Sequence, residues 1–205
     1  MRQLDLSLYL VTDTALCGAR GVPETVRAAV AGGVTVVQLR DPRATGRELY
    51  EAAVGLRAVV TDVPLIVNDR LDIALAAGAD GVHLGQSDLP VARAREIAGA
   101  DFLIGWSAAT VEEIAYAEKT PGIVDYLGIG PVFATPTKPD AGPGLGPDLV
   151  AELAARTSLP TVAIGGINLE NASQIRGVGG ICVVSAICAA GDPRAAAEAL
   201  REARR

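Results

Sequence analysis

Two aspartates follow apolar segments that are typical of neighbouring parallel strands. Asp69 comes after residues 65–67, Asp88 comes after residues 81–84, and a helix-forming segment at 71–77 separates the two strands. Because the strands of a β–α–β unit end at the same edge of a sheet, we expect both carboxylates at one rim. Such oxygen ligands favour Mg²⁺, which is usually held by one or two carboxylates and substrate phosphate oxygens. The alternative is that both residues cap the helices that follow them.

Other polar residues also come directly after predicted strands. They are Gln38, Arg40, Asn68, Ser107, Thr135, Thr137, Lys138, Gly166 and Ser185, with Val184 at the end of the last strand. This is the end at which a parallel α/β barrel builds its active site. Backbone N–H groups at Gly165–Gly166 and Val184–Ser185 are suited to a phosphate group, although paired glycines are also ordinary turn residues.

The connection at 130–146 is long and rich in Gly and Pro. Connections of this length in a compact domain are uncommon unless they serve function. Its Thr135-Pro136-Thr137-Lys138 segment offers two hydroxyls and an ammonium group, which suits a second phosphate as well as a solvated loop.

The residues that are absent narrow the chemistry. His83 is the single histidine, so we expect no Ser or Cys nucleophile with a plausible histidine partner, and no His/Cys cluster could bind zinc. We interpret His83, which has apolar neighbours within a strand, as a hydrogen-bonded core histidine rather than a base. Positioning, a metal ion and stabilisation of a departing anion remain as sources of catalysis.

Eight strand–helix units can be read along the 205 residues. The predicted strands are 8–11, 34–39, 65–67, 81–84, 102–106, 126–129, 160–164 and 181–184, and the predicted helices are 23–31, 46–60, 71–77, 90–98, 111–118, 149–155, 169–175 and 193–204. This order predicts an α/β fold, a (β/α)₈ TIM barrel, with residues 1–205 as a single domain. Glycine-rich segments precede the even-numbered strands, which suggests repeated two-strand modules. A doubly wound sheet is the alternative, but no GxGxxG follows the first strand.

Composition limits the partners. Half of the residues are hydrophobic, the net charge is −6 and aromatic residues make up only 3%. These values argue against nucleic acid and against an anionic membrane surface, and they leave small molecules as the expected partners. The three cysteines have no metal-binding spacing, and no signal segment or spanning helix is found. We therefore expect reduced thiols and a cytoplasmic location, with a homo-oligomer possible.

These stretches together resemble the thiamine phosphate synthase family over nearly the whole chain. The matching segments are YLVTD at 9–13, QLR at 38–40, VND at 67–69, VHLGQSD at 82–88, GWS at 105–107, GIGPVFATPTK at 128–138, AIGGI at 163–167 and VSAI at 184–187. The HLGQxD and GxGPxFxTxTK patterns are the specific ones.

The resemblance implies a transferase that joins an aminopyrimidine methyl diphosphate to a thiazole phosphate and releases pyrophosphate. It implies Mg²⁺ as the cofactor, held by Asp69 and Asp88. It further implies that Arg40, Ser107 and Lys138 act in catalysis. The pyrimidine diphosphate would contact Gln38, Arg40, Asn68, Ser107 and Lys138, and the thiazole phosphate would contact Thr135, Thr137, Gly166, Val184 and Ser185.

Two positions depart from the family pattern. Pro42 stands where the family usually has Lys, and Ala109 stands where it usually has His. We hypothesise that Arg43 replaces the missing Lys in binding the diphosphate; the alternative is that Arg43 is a solvated surface residue.

Two other functions are compatible with this sequence. A thiazole tautomerase of the same barrel family would act on the thiazole phosphate alone, but it needs a well-placed base. A non-catalytic thiamine phosphate binding protein or sensor would hold the product without making it.

Overall fold

Eight parallel strands form a closed barrel in the computed structural model, which describes residues 4–135, 137 and 142–204. The strands are β1 (Leu8–Val11), β2 (Val36–Leu39), β3 (Leu65–Asn68), β4 (Gly81–Leu84), β5 (Leu103–Ala108), β6 (Tyr126–Ile129), β7 (Thr161–Ile164) and β8 (Gly180–Val183). They follow one another in chain order, and β1 pairs with β8 to close the ring. The predicted (β/α)₈ barrel is confirmed. The assignment of all 205 residues to one domain stays a prediction, because residues 1–3, 136, 138–141 and 205 lie outside the described part.

Helices surround this barrel. They are α1 (Thr14–Cys17), α2 (Gly21–Ala31), α3 (Gly46–Val59), α4 (Leu71–Ala76), α5 (Val91–Ala98), α6 (Val111–Lys119), α7 (Pro147–Ala154), α8 (Ser185–Cys188) and α9 (Pro193–Ala203). Among the described residues, no helix has the length and apolar character needed to cross a bilayer.

The helix predicted at 169–175 is wrong. Only a 3₁₀ turn, Ala172–Gln174, forms there. The Asn168 side chain accepts a hydrogen bond from the Glu170 backbone, and the Asn171 side chain accepts one from the Asn168 backbone. These local side-chain bonds compete with the helical pattern.

The start of each helix tests the interpretation of the two aspartates as helix caps. Thr45 and Thr110 cap α3 and α6 in capping boxes, and Asp192 caps α9. By contrast, α4 begins after Arg70 and α5 begins after Pro90, and neither has a side-chain cap. Asp69 and Asp88 are therefore not helix caps.

Two apolar layers stabilise the fold. Side chains that alternate outward along the strands, such as Leu10, Val67 and Ile181, pack against the helices. Inward side chains, such as Val36, Ile66 and Val162, fill the lower barrel interior. Both sets are almost fully buried, and burial of each such side chain contributes about 1.5–3 kcal/mol. The three cysteines are free and buried.

Odd and even strands are joined at the bottom of the barrel by a repeated pair of hydrogen bonds. The backbone N–H of Asp80 donates to the Leu65 carbonyl at 2.9 Å, while its carboxylate accepts from the Leu65 N–H at 2.8 Å. Asp125 and Ile104 make the same two bonds, at 2.8 and 2.7 Å. Thr35 makes them with the first residue of β1, at 2.8 and 3.2 Å. We call these three reciprocal pairs the strand clamps.

Two of the strand clamps are reinforced by arginines from the preceding helices. Arg57 in α3 contacts Asp80 at 3.0 Å, and Arg95 in α5 contacts Asp125 at 2.6 Å. Arg95 also donates to the carbonyl of Phe102 at 2.6 Å. The clamps fix strand positions at the end of the barrel opposite the predicted site.

Candidate active site

A cavity of about 500 Å³ opens at the C-terminal ends of the strands. This volume suits a small-molecule ligand. Eleven of the twelve predicted site residues line it: Gln38, Arg40, Asn68, Asp69, Asp88, Ser107, Thr135, Thr137, Gly166, Val184 and Ser185. The twelfth, Lys138, lies outside the described residues. Residues that are far apart in sequence are therefore brought to one cavity by the strand ends.

Asp69 lies at the centre of a tight turn after β3. The Arg70 N–H donates to the Asn68 carbonyl at 2.7 Å, and the Asp69 N–H donates to the His83 carbonyl of β4 at 2.8 Å. Asp69 has φ +62°, and it is the one non-glycine residue with positive φ among those described. A non-glycine residue in this region of backbone space costs on the order of 1 kcal/mol. Asp69 is exposed at this turn and lines the cavity.

Asp88 forms a second turn, after β4. Its Oδ2 accepts from the Gly85 N–H at 2.6 Å, and its own N–H donates to the Gly85 carbonyl at 3.3 Å. One carboxylate oxygen thus holds the turn together. Asp69 and Asp88 line the same cavity, as the sequence predicts.

This pair of carboxylates fits a magnesium ion that would take its other ligands from a substrate and from water. Within the described ranges, no group of three or more His, Cys, Asp or Glu side chains is arranged to hold a metal. Two carboxylates, with the Asn68 amide beside them in the cavity wall, are hard oxygen donors of the kind that Mg²⁺ prefers. Remaining coordination positions would belong to phosphate oxygens and water.

Arg40 is positioned through its backbone. Its N–H donates to the hydroxyl of buried Thr12 at 3.0 Å, so the end of β2 is tied to the end of β1. Arg43, by contrast, is exposed, and it lines a separate groove between α2 and α3 with Leu49 and Glu51. This location favours the interpretation of Arg43 as a surface residue over the hypothesis that it contacts the diphosphate.

Gly165 and Gly166 form the opposite wall of the cavity. Both have positive φ, +109° and +64°. A Cβ on Gly166 would lie 2.7 Å from the Cβ of Phe133, so only glycine fits beneath the connection after β6. The Asn171 amide holds the Gly166 carbonyl at 3.0 Å.

The remaining phosphate candidates lie near these glycines in the cavity wall. Val184 and Ser185 follow β8, and Ser185 begins the short helix α8. The Thr135 and Thr137 hydroxyls are 3.1 Å apart, and the Thr137 N–H donates to Thr135 Oγ1 at 3.3 Å. Hydroxyls and turn amides together are donors of the kind that bind phosphate oxygens.

A hydrogen-bonded chain beneath the cavity was not predicted from the sequence. Its distances are 2.8 Å from Gln38 Nε2 to the Tyr9 hydroxyl, 2.7 Å between the Tyr9 and Tyr126 hydroxyls, 3.2 Å from Tyr126 to His83 Nδ1, and 3.0 Å from His83 Nε2 to Ser107 Oγ. We call these five residues the interior chain. His83 is hydrogen bonded, as expected, but it is half-buried and lines the cavity rather than the core. The signals in the sequence were the placement of Tyr9 and Tyr126 at inward positions of their strands and the glycines at 105 and 128, which leave room for the chain.

Ala109 is not among the described residues that line this cavity. Its backbone N–H donates to the Glu113 carboxylate at 2.6 Å, beside the capping box of α6. The position that departs from the family pattern therefore contributes a backbone group to a helix start.

Comparison with known proteins identifies the family. The family model described as thiamine monophosphate synthase matches residues 8–187. The chain belongs to the thiamine monophosphate synthase family. The match runs from the first residue of β1 into α8, and so includes all eight strands and every described site residue.

Relatives of similar length support this membership. The chain is 52% identical to a thiamine-phosphate synthase of Azorhizobium caulinodans over 201 residues, which cover 96% of this chain and 94% of the relative. It is 47% identical to a thiamine-phosphate synthase of Albidiferax ferrireducens, covering 96% and 91%. A solved thiamine phosphate pyrophosphorylase from Pyrococcus furiosus is 42% identical, with a TM-score of 0.88 over 98% of this chain and 96% of that one.

Proposed function

We propose that this protein is a thiamine-phosphate synthase, a transferase of thiamine biosynthesis. It would join 4-amino-2-methyl-5-(diphosphooxymethyl)pyrimidine to a thiazole phosphate, and it would release pyrophosphate. The observation that carries this proposal is that one cavity has a pair of carboxylates on one wall and a glycine-, serine- and threonine-rich wall on the other. A metal-bound diphosphate and a second phosphate can therefore be bound facing each other. Membership of the family supports the same activity.

The reaction needs one bond to break and one to form. The bond between the pyrimidine methylene carbon and the diphosphate oxygen breaks, and its electron pair leaves with pyrophosphate. The thiazole nitrogen then donates its lone pair to the pyrimidine-stabilised methylene cation. No proton has to be removed by a base in either step, which agrees with a site whose histidine is already hydrogen bonded on both ring nitrogens.

Residues at one side of the cavity would bind the pyrimidine diphosphate and its metal ion. Asp69 and Asp88 would hold Mg²⁺, and the ion would supply charge neutralisation on the diphosphate. Arg40 and Ser107 contact the leaving group, and Gln38 and Asn68 orient the pyrimidine diphosphate.

The second phosphate has its own set of contacts. Thr135, Thr137, Gly166, Val184 and Ser185 hold the phosphate of the thiazole. Lys138, which lies outside the described residues, is proposed from the family pattern alone as a further contact to the diphosphate.

A single assay tests the function against its two alternatives. Purified protein is mixed with the pyrimidine diphosphate, the thiazole phosphate and Mg²⁺, and pyrophosphate and thiamine phosphate are measured together. Formation of both, dependent on the thiazole, supports the synthase. Conversion of the thiazole phosphate alone to a tautomer would identify a thiazole tautomerase, and tight binding of thiamine phosphate without turnover would identify a sensor. Either of the last two results would overturn the proposal.

The remaining expectations accompany this proposal. Its partners are the two small-molecule substrates, with no role for nucleic acid or a membrane surface. The cytoplasmic location and a homo-oligomer also stay predictions.

A further inference from the structure

We infer that the interior chain runs in one direction, from the Gln38 amide to the Ser107 hydroxyl, and that it holds His83 as the Nε2–H tautomer. The Ser107 hydroxyl is thereby made a hydrogen-bond donor toward the ligand. The role of Ser107 as a donor to the diphosphate rests on the proposed function, whereas the direction of the chain rests on its own geometry.

The direction is set at the buried end of the chain. Gln38 Nε2 lies 2.8 Å from the Tyr9 hydroxyl, and Gln38 is only 4% exposed. An amide NH₂ group donates and cannot accept, so the Tyr9 oxygen receives this bond. The single proton of Tyr9 is then available for its next neighbour, the Tyr126 hydroxyl, at 2.7 Å.

Both phenols keep their protons. Tyr9 and Tyr126 are almost completely buried, and desolvation raises the pKa of each hydroxyl far above its ordinary value. Each oxygen therefore carries one proton and can donate once. Because Tyr126 accepts from Tyr9, it donates its own proton to His83 Nδ1, 3.2 Å away.

The tautomer of His83 follows from this bond. A neutral imidazole whose Nδ1 accepts a hydrogen bond carries its proton on Nε2. Nε2–H then donates to Ser107 Oγ at 3.0 Å. Ser107 accepts from His83, and its own hydroxyl proton is left for an acceptor in the cavity that it lines.

The surrounding structure makes room for this arrangement. A Cβ on Gly105 would lie 2.5 Å from His83 Nδ1 and would overlap the Tyr126 hydroxyl. On the other side of Ser107, the Gln86 amide donates to the Ser107 carbonyl at 2.6 Å and fixes its backbone. The chain is therefore enclosed where the hydroxyl and imidazole meet, and its last residue is held at the cavity.

The consequence for the proposed reaction is a division of roles. Ser107 would be the group that touches the leaving diphosphate, donating its hydroxyl proton to an oxygen on which negative charge increases. His83, Tyr126 and Tyr9 would be positioning residues. In the opposite direction His83 would accept from Ser107, as in a nucleophilic serine, and the inference excludes this arrangement.

Nitrogen NMR tests the direction without any turnover. The protein has one histidine, so ¹⁵N labelling of histidine in a protein made without a histidine tag gives one pair of ring signals. At a pH where free imidazole is neutral, we expect the protonated signal at Nε2 and the unprotonated signal at Nδ1. A protonated Nδ1 with a bare Nε2 in the unliganded protein would overturn the inference.

A matched pair of variants tests whether Gln38 sets the direction. In Gln38→Glu, at a pH at which the introduced side chain is ionised, the carboxylate can only accept, so every bond of the chain should reverse and His83 should become the Nδ1–H tautomer. Gln86→Glu adds the same charge near Ser107 but outside the chain, and it should leave the tautomer unchanged. No reversal in Gln38→Glu, or reversal in both variants, would contradict the inference.

Tyr126→Phe provides a second test if Gln38→Glu does not fold. Phenylalanine keeps the ring packing and removes the link, so both tautomers of His83 should be populated. Once synthase activity is established, the same variant should lower kcat about tenfold with the KM of the pyrimidine diphosphate nearly unchanged, because the Ser107 bond strengthens as charge develops. A pure Nε2–H tautomer in this variant would overturn the inference. Absence of synthase activity in the wild type would overturn only the proposed function.

Discussion

Asp69 is held in a backbone conformation that lowers the stability of the fold. We infer that this conformation is retained because the Asp69 carboxylate has a function. At φ +62° the residue would be better replaced by glycine if stability alone mattered. Strain of this kind collects at functional sites and is maintained by the surrounding structure, here the hydrogen bond from Asp69 to β4.

We predict that Asp69→Asn lowers kcat about 100-fold, roughly 2.7 kcal/mol, because the charge that holds Mg²⁺ on the diphosphate is lost. Asn tolerates positive φ as Asp does, so the free energy of unfolding should stay nearly constant. Asp88→Asn should lower kcat by a similar factor. Kinetics at limiting Mg²⁺ and urea unfolding measure the two effects. Exposed Asp62, changed to Asn, is the control, and near-normal turnover of Asp69→Asn would exclude a metal-binding role.

Ser185→Ala and Thr135→Val should act differently from Asp69→Asn. They remove phosphate contacts that are present before and during the reaction, so the KM for thiazole phosphate should rise several-fold while kcat changes little. Steady-state kinetics with the pyrimidine diphosphate saturating would measure this. A large fall in kcat at constant KM would mean that these hydroxyls act in the chemical step instead.

The two arginines after β2 offer a direct comparison. Arg40 lines the cavity and Arg43 lines the groove outside it. Arg40→Ala should lower kcat/KM for the pyrimidine diphosphate at least about tenfold, as expected for a charge-assisted contact of about 1.5 kcal/mol or more, whereas Arg43→Ala should leave it within about twofold. Equal losses in both variants would restore the hypothesis that Arg43 replaces the lysine absent at Pro42.

At the scale of elements, the residues of the strand clamps stabilise the barrel at the end opposite the candidate active site. Their bonds lie at the bottom of the barrel, whereas all described site residues lie at the top. The two clamps that contain aspartate differ in the exposure of their arginines. The side chains of Arg95 and Asp125 are 14% and 34% exposed, compared with 37% and 35% for Arg57 and Asp80.

Asp125→Ala should therefore destabilise the fold more than Asp80→Ala. Loss of Asp125 leaves the Arg95 charge and the Ile104 N–H without their partner, at a cost of about 2–3 kcal/mol, and the more exposed clamp should cost about 1 kcal/mol. Urea unfolding gives both values. Because neither residue touches the cavity, kcat of the folded variants should be unchanged. A larger effect from Asp80→Ala would show that exposure does not rank the clamps.

The strands and the longer helices could be predicted from the sequence because they repeat a simple pattern. Apolar runs define all eight strands to within two residues at either end, and Gly-rich segments precede the even-numbered ones. The 169–175 helix failed because Asn168 and Asn171 bond locally, and Leu169 is 53% exposed rather than packed. The four-residue helices α1 and α8 are too short to show a helical period.

Some site residues could be predicted from the sequence, and others could not. Residues that follow strand ends could be found, because topology alone brings them to one face. The interior chain could not, because its contacts join β1, β2, β4, β5 and β6 across the barrel, and sequence order does not show which inward side chains meet. The paired glycines on β5 and β6, Gly105 and Gly128, are the trace that this chain leaves in the sequence.

At the scale of the whole molecule, the metal and the diphosphate should bind together. The described residues contain a pair of carboxylates but no cluster of three metal ligands, so Mg²⁺ alone should bind weakly. We predict that Mg²⁺ alone or pyrophosphate alone changes Tm little, and that the two together raise it by several degrees, since a ligand at 100 times its Kd stabilises by about 2.7 kcal/mol. Differential scanning fluorimetry measures this. Asp88→Asn should abolish the joint effect, and a full shift with Mg²⁺ alone would indicate a preformed metal site.

The strand clamps also bear on how such a barrel could arise and diverge. Each clamp joins an odd strand to the following even strand, and β7 and β8 keep the backbone half of the same contact, from the Gly179 N–H to the Thr161 carbonyl at 2.9 Å. A strand pair that contains its own clamp hydrogen bonds is a unit that gene duplication can copy whole. Proteins descended from such a unit could change the loops at the opposite end of the barrel, and with them their substrates. The hydrogen bonds that stabilise the barrel would stay unchanged.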